Sequence, residues 1–80
     1  MNITYSRKVV KVIGTLDSTT KQRLRNAIEK LPNGDVKQIQ RGDITTYRLR
    51  VGGWRVLYSM NEEDIFIEKI APRGQVYKGV

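Results

Sequence analysis

The stretch YRLRVGGWRVLY, Tyr47 to Tyr58, decides how the rest of the chain is arranged. Gly52-Gly53 is the composition that permits positive φ in a tight two-residue hairpin. With the turn there, Val51 stands opposite Trp54, Arg50 opposite Arg55, Leu49 opposite Val56, Arg48 opposite Leu57 and Tyr47 opposite Tyr58. Side chains alternate across paired strands. Tyr47, Leu49, Val51, Trp54, Val56 and Tyr58 therefore share a face suited to packing, and Arg48, Arg50 and Arg55 share the other. Like charges directly opposed in a sheet destabilise it by about a few tenths of a kcal/mol or more, so folding alone gives no reason to set Arg50 against Arg55. An anion does, because the guanidinium fork donates bidentately to phosphate and keeps its charge at any cellular pH. The competing explanation is that arginines on a solvated strand face blunt an edge against aggregation.

Working outward, Ile3 and Tyr5 alternate in NITYS and predict a short first strand. Ser6 can cap a helix in which Val9, Val10, Ile13 and Leu16 recur at three and four, with Arg7, Lys8 and Lys11 toward water. Asp17 or Ser18 caps a second helix, whose stripe is Leu24, Ala27, Ile28 and Leu31 and which stops at the PNG of residues 32–34. Lys21, Arg23 and Arg25 read as its solvated face. From Pro32 to Asp43 the chain is polar, with turn signals in PNG and RGD and a short extended piece around Val36 to Ile39. After the hairpin, the acidic turn NEED leads into DIFIEKI, a strand that Pro72 ends. Which of its faces looks outward is left open, since IFI is apolar on both sides and either Glu68 or Lys69 can join the arginines. The expected fold is α+β: an N-terminal strand and a helical hairpin packed on one face of a largely antiparallel sheet, in the order β-α-α-β-β-β.

Eighty residues suffice for one domain, residues 1–80, and not for two independent cores. No apolar run approaches the ~20 residues that cross a bilayer, and no signal-peptide pattern opens the chain; no membrane role is expected, and the cytoplasm is the expected address. Fifteen Lys and Arg against eight Asp and Glu give a formal charge of +7, which favours a polyanionic partner. The charge is uneven. Lys37 to Tyr58 holds five basic residues and one acid, whereas Glu62, Glu63, Asp64 and Glu68 gather later.

The absences narrow the chemistry further. With no histidine, the usual imidazole pair for RNA transesterification is missing and no Ser/His/Asp triad can form. With no cysteine there is neither a disulfide nor a thiolate metal site, and no acidic motif suggests a metal, so no cofactor or metal is expected. The Gly52-Gly53 pair is hairpin punctuation and not a phosphate loop. What remains is electrostatic stabilisation by arginines of a phosphorane-like transition state, with the 2′-hydroxyl of RNA as the nucleophile.

The order of elements, together with YRLRVGGWRVLY and the later IAPRGQVYK, resembles the RelE/ParE superfamily of toxins from toxin–antitoxin modules, and the RelE branch more than the ParE branch. The similarity covers nearly the whole chain; its specific part is a basic strand, a strand of glycine, aromatic, arginine, two hydrophobics and tyrosine, and an arginine four residues before a terminal tyrosine. The resemblance implies a metal-free endoribonuclease that enters the ribosomal A site and cuts messenger RNA. It also implies a cognate antitoxin that holds the toxin inactive in a toxin–antitoxin hetero-oligomer. Residue by residue, it implies that Arg55 neutralises the scissile phosphate and that Arg48 and Arg50 stand where relatives often carry lysines. Arginine, with a pKa above about 12, is a poor base, so these two read as phosphate clamps. Arg73 would serve the leaving 5′ oxygen, and Tyr77 would stack on a base. Some relatives have another basic residue two places before Arg73, where this chain has Ala71. Two alternatives share the fold: a ParE-like poison of gyrase, and a catalytically inactive relative that binds RNA or the ribosome.

Overall fold

The structure, a computed structural model, describes residues 2–41 and 44–75 of the chain. Five strands and two helices follow in the order β1 (Asn2–Tyr5), α1 (Arg7–Gly14), α2 (Ser18–Glu29), β2 (Val36–Arg41), β3 (Ile44–Val51), β4 (Trp54–Met60) and β5 (Asp64–Pro72). The short extended piece expected near Val36 is thus a full edge strand. The strands form one mixed sheet in the order β1-β5-β4-β3-β2. β1 runs parallel to β5, and every other neighbouring pair is antiparallel.

Local chemistry explains the helix ends. The Ser6 hydroxyl accepts from the Val9 N–H at 3.2 Å and donates to the carbonyl of Glu68 at 3.0 Å, so a single cap both starts α1 and fastens it to β5. Asp17 caps α2, its carboxylate accepting from the Thr20 N–H at 3.3 Å. Hydrogen bonding to Thr20 holds the Asp17 carboxyl below its ordinary pKa. α1 presents a narrower stripe than the spacing predicts. Val9 is fully buried with Val12, Ile13 and Leu16 packed beside it, while Val10 is 58% exposed. At about 100° per residue Val10 stands a quarter turn from Val9, and an eight-residue helix lying on the sheet buries only one line of contact.

Leu24, Ile28 and Leu31 from the helical side meet Leu49, Val56, Tyr58, Ile65, Ile67 and Ile70 from the sheet. Each fully buried aliphatic side chain contributes about 1.5–3 kcal/mol. The hairpin register is the expected one at all five pairs, from Tyr47 opposite Tyr58 to Val51 opposite Trp54. Tyr47 and Tyr58 stack with centroids 5.4 Å apart and planes 20° from parallel, and Trp54 packs against the core as its phase requires. β5 resolves its ambiguity with an irregularity. Tyr58 pairs with Ile67 but Leu57 pairs with Lys69, so Glu68 is the extra residue, and Ile67 and Ile70 both reach the core despite their odd spacing.

The connection from α2 to β2 is tied down closely. Gly34 has φ +127°, and a Cβ there would lie 3.1 Å from Leu49 Cδ1, so the loop presses on β3 where only glycine fits. Among the described residues, no helix is long and apolar enough to cross a membrane.

Candidate nucleic-acid interface

The face of the sheet turned away from the helices carries two rows of side chains set by register. Lys37 on β2, Arg48 on β3, Leu57 on β4 and Lys69 on β5 are successive partners in one row. Arg50, Arg55 and Ala71 form the next. The three arginines of the hairpin therefore share a face, as expected, but their guanidinium groups have different surroundings.

Arg48 is half-buried, and its Nε is sealed from solvent with no hydrogen-bond partner. Among the described residues it has no ion-pair partner. Arg50 is exposed, and its Nε donates to Asp35 Oδ2 at 2.5 Å, while its main-chain N–H donates to the Asp35 carbonyl at 2.9 Å. Arg55, expected to point outward into solvent, is only 8% exposed. Its Nη1 donates to the carbonyls of Gly52 and Trp54, both at 2.9 Å, so the side chain folds back onto the turn. The repulsion expected of Arg50 against Arg55 is relieved on both sides, by a carboxylate for one and by carbonyl dipoles for the other.

The hairpin tip collects further cations. Gly52 has φ +60°, and a Cβ there would lie 2.9 Å from Arg23 Nη2, so the guanidinium of Arg23, exposed on α2 as the sequence suggests, lies beside the turn. The Arg73 main-chain N–H donates to the Gly53 carbonyl at 2.8 Å, which sets this exposed residue beside the same tip. Ala71 pairs directly with Arg55. Tyr77, the remaining expected site residue, lies outside the described residues.

Sequence reading did not assign Lys37, Lys69 or Asp35 to this face. A signal existed for Lys37: carrying the hairpin alternation back across Gly42-Asp43, the two residues between Arg41 and Ile44, sets Lys37 opposite Arg48. For Lys69 no such signal was available, because the irregularity at Glu68 inverts the phase of β5. Glu68 itself has a buried carboxylate oxygen without a hydrogen-bond partner, and its carbonyl serves the Ser6 cap.

In chemical terms, the face can grip an anion through Arg48, through the remaining N–H groups of Arg50, and through Lys37 at the edge. It offers no imidazole or thiol for proton transfer. Among the described residues, no group of three or more acidic, His or Cys side chains could hold a metal ion. On the helical side, a cleft of about 340 Å³ is lined by Tyr5, Val10, Ile13 and Ile28 with the charged Lys21, Arg25 and Glu29. Burial pushes the Tyr5 phenol above its ordinary pKa, Glu29 adds to that, and Arg25 opposes it.

No protein-family model and no curated protein matches the sequence. Comparison of folds finds similarity to solved structures. A chain of the archaeal RelE–RelB complex from Pyrococcus horikoshii OT3 shares 32% identity, over 94% of this chain and 97% of that one, with a TM-score of 0.73. A chain of the RelB–RelE antitoxin–toxin complex from Methanococcus jannaschii is 22% identical over 88% and 89%, with a TM-score of 0.71. A chain of the intact E. coli RelBE toxin–antitoxin complex is 16% identical over 89% and 94%, with a TM-score of 0.59, and shows the fold alone.

Proposed function

The chain belongs to the RelE-like toxin superfamily, and on that footing we propose that it is the toxin of a toxin–antitoxin module and acts as a ribosome-dependent messenger endoribonuclease in the cytoplasm. The observation that carries the reading is Arg48, a cation in the middle of the outer face whose Nε is withdrawn from water and given no partner. A buried donor left unpaired costs free energy, and a phosphate oxygen would satisfy it once the half-buried side chain turns its Nε outward.

In the proposed reaction the RNA 2′-oxygen attacks the adjacent phosphorus and the bond from phosphorus to the 5′ oxygen breaks, leaving a 2′,3′-cyclic phosphate and a 5′-hydroxyl; the 2′-hydroxyl gives its proton to solvent water, and the leaving oxygen takes one from solvent water. Arg48 and Arg50 bind the phosphate and stabilise charge as it develops on the equatorial oxygens. Arg73, set beside the hairpin tip, faces the leaving group, and Tyr77 stacks on a base to splay the strand for in-line attack. Arg55 acts at one remove, holding the turn from which the other groups project. An antitoxin is the proposed partner, as in the solved RelE–RelB complexes, and the exposed Val10 with the cleft of mixed apolar and charged side chains beside it supplies a surface for such a chain to cover.

Brief induction followed by primer extension on messages tests reaction, substrate and residue together. The wild-type chain should leave cuts within translated messages, and Arg48→Ala should abolish them. Intact transcripts with undiminished protein synthesis would overturn the proposal, and stalled replication with intact messages would move the chain to the ParE-like reading. A second reading, RNA binding without cleavage, draws on one observation: Arg55 is committed to the carbonyls of its own turn. It predicts ribosome binding that weakens with salt and RNA that stays whole.

A further inference from the structure

We propose that Asp35 is an internal counter-ion that RNA phosphate must displace from Arg50, so that this one carboxylate sets the affinity of the outer face for polyanions; the inference rests on the RNA-binding part of the reading above and not on cleavage. Asp35 is delivered to Arg50 by fixed geometry. Its carbonyl accepts the Arg50 main-chain N–H at 2.9 Å and its carboxylate accepts the Nε–H. The preceding Gly34 is pressed against Leu49, the neighbour of Arg50 on β3, and the following Val36 is paired with the same Leu49. The loop therefore cannot swing away as a unit without opening the sheet edge, and the carboxylate leaves Arg50 only by side-chain rotation.

Stability gives little reason for the pair. Both side chains are about half exposed, at 54% and 47%, and exposed ion pairs contribute little to folding. Its chemistry is that of the proposed ligand. A carboxylate and a phosphodiester compete for the same N–H groups, and phosphate takes the Nε edge of the fork bidentately only once Asp35 has left it. Arg48, by contrast, has an Nε with no partner. Of these two arginines, one has an Nε without a partner and the other has its Nε taken by a carboxylate, and a polyanion that takes the Nε edge of Arg50 must replace that occupant.

The test is binding of a 2′-O-methyl RNA oligonucleotide, which lacks the nucleophile and stays uncut, measured by anisotropy across salt for wild type, Asp35→Asn, Arg50→Ala and the double variant. Asp35→Asn should bind up to about fivefold more tightly at low salt, the range of an exposed ion pair. The slope of log affinity against log salt should steepen by up to about 0.7, because the phosphate at Arg50 then meets a full positive charge that no neighbouring carboxylate offsets. In the Arg50→Ala background, Asp35→Asn should give no gain. Equal or weaker binding by Asp35→Asn overturns the proposal, and so does a gain that persists without Arg50, since Asp35 would then be one general negative charge among several. A readout independent of RNA is the Arg50 Nε–H resonance of labelled protein titrated with inorganic phosphate: tighter in Asp35→Asn supports displacement, and identical titrations overturn it. RNA that binds and is never cut removes the nuclease proposal and leaves this one to be decided by the affinities.

Discussion

Arg48→Met should make the protein more stable and less able to bind RNA. Methionine keeps the unbranched stem that packs on the sheet and removes the guanidinium. Two terms favour the variant in the free protein. The sealed, unpartnered Nε–H disappears, and leaving a buried donor unsatisfied costs about 1–3 kcal/mol; the lower end applies here because one donor of the fork is sealed and the residue is only half-buried. The opposed cation Lys37 is relieved as well, for about 0.2–1 kcal/mol. Together these give a gain of about 1–2 kcal/mol, and with a urea m-value of about 1 kcal/mol/M for so small a domain the midpoint should rise by about 1–2 M with m unchanged.

Against that stands the lost contact. A hydrogen bond to a charged group contributes about 1.5–3 kcal/mol, so RNA affinity should fall by about 10- to 100-fold, with the salt slope shallower by about 0.7. The two measurements must move in opposite directions, which is the signature of a residue placed for function at the expense of folding. If Arg48→Met lowers the urea midpoint while RNA binding holds, the guanidinium is a structural group and the reasoning from its unpaired Nε is wrong.

Two further perturbations test the frame around the site. Tyr58→Phe removes a buried hydroxyl without a hydrogen-bond partner but keeps the stack on Tyr47, so it should stabilise the fold by about 1 kcal/mol; a loss of that size in urea unfolding would show that the hydroxyl is bonded. Burial first, and Tyr47 second, raises the Tyr58 pKa. The unfolded chain therefore loses this proton near pH 10 while the folded one keeps it, and stability falls as pH rises from about 10 through the folded value. That alkaline fall should shrink in Tyr58→Phe, leaving the part due to Tyr5, whose phenol is raised as well. Gly52→Ala sets a side chain at φ +60° and 2.9 Å from Arg23 Nη2. It should cost about 1–2 kcal/mol, a fall of roughly 4–16 °C in Tm for a domain of this size; an unchanged Tm would mean that the turn relaxes to another type.

The parts of the fold that rest on local rules were legible in the sequence. Gly52-Gly53 announces its turn, and the alternation on either side then dictates five residue pairs and two faces, because a one-residue slip would carry Leu49 and Val56 out of the core. Ser6 and Asp17 likewise announce helix starts by chemistry that operates within three residues. What was not legible depends on partners distant in the chain. Nothing local in IFIEKI says that Glu68 is skipped, since the skip is enforced by fitting Ile67 and Ile70 together into a core shared with Leu24 and Ile28. Nothing local in PNGD says that Asp35 reaches across to Arg50, fifteen residues on. The exposure of Val10 belongs to the same class, because a helical stripe two residues wide in sequence becomes one line wide where the sheet meets it.

The fates of the three arginines bear on how a charge pattern should be weighed. A cluster of like charges on one strand pair invites the inference of an anionic ligand, yet folding has its own means of accommodating such charges, and here it uses two of them. Arg50 is answered by a carboxylate from a neighbouring loop, and Arg55 by the carbonyls of the turn it follows. Those contacts mean that the count of arginines overstates the free positive charge of the face. They also sharpen the signal in the third residue, because a sheet that supplies partners for its neighbours supplies none to the Arg48 Nε at the centre of the row. The number of cations on a surface therefore says less about a ligand than a buried donor such as the Arg48 Nε, for which the described residues provide no partner, and it is at that position that removing the charge should trade binding for stability.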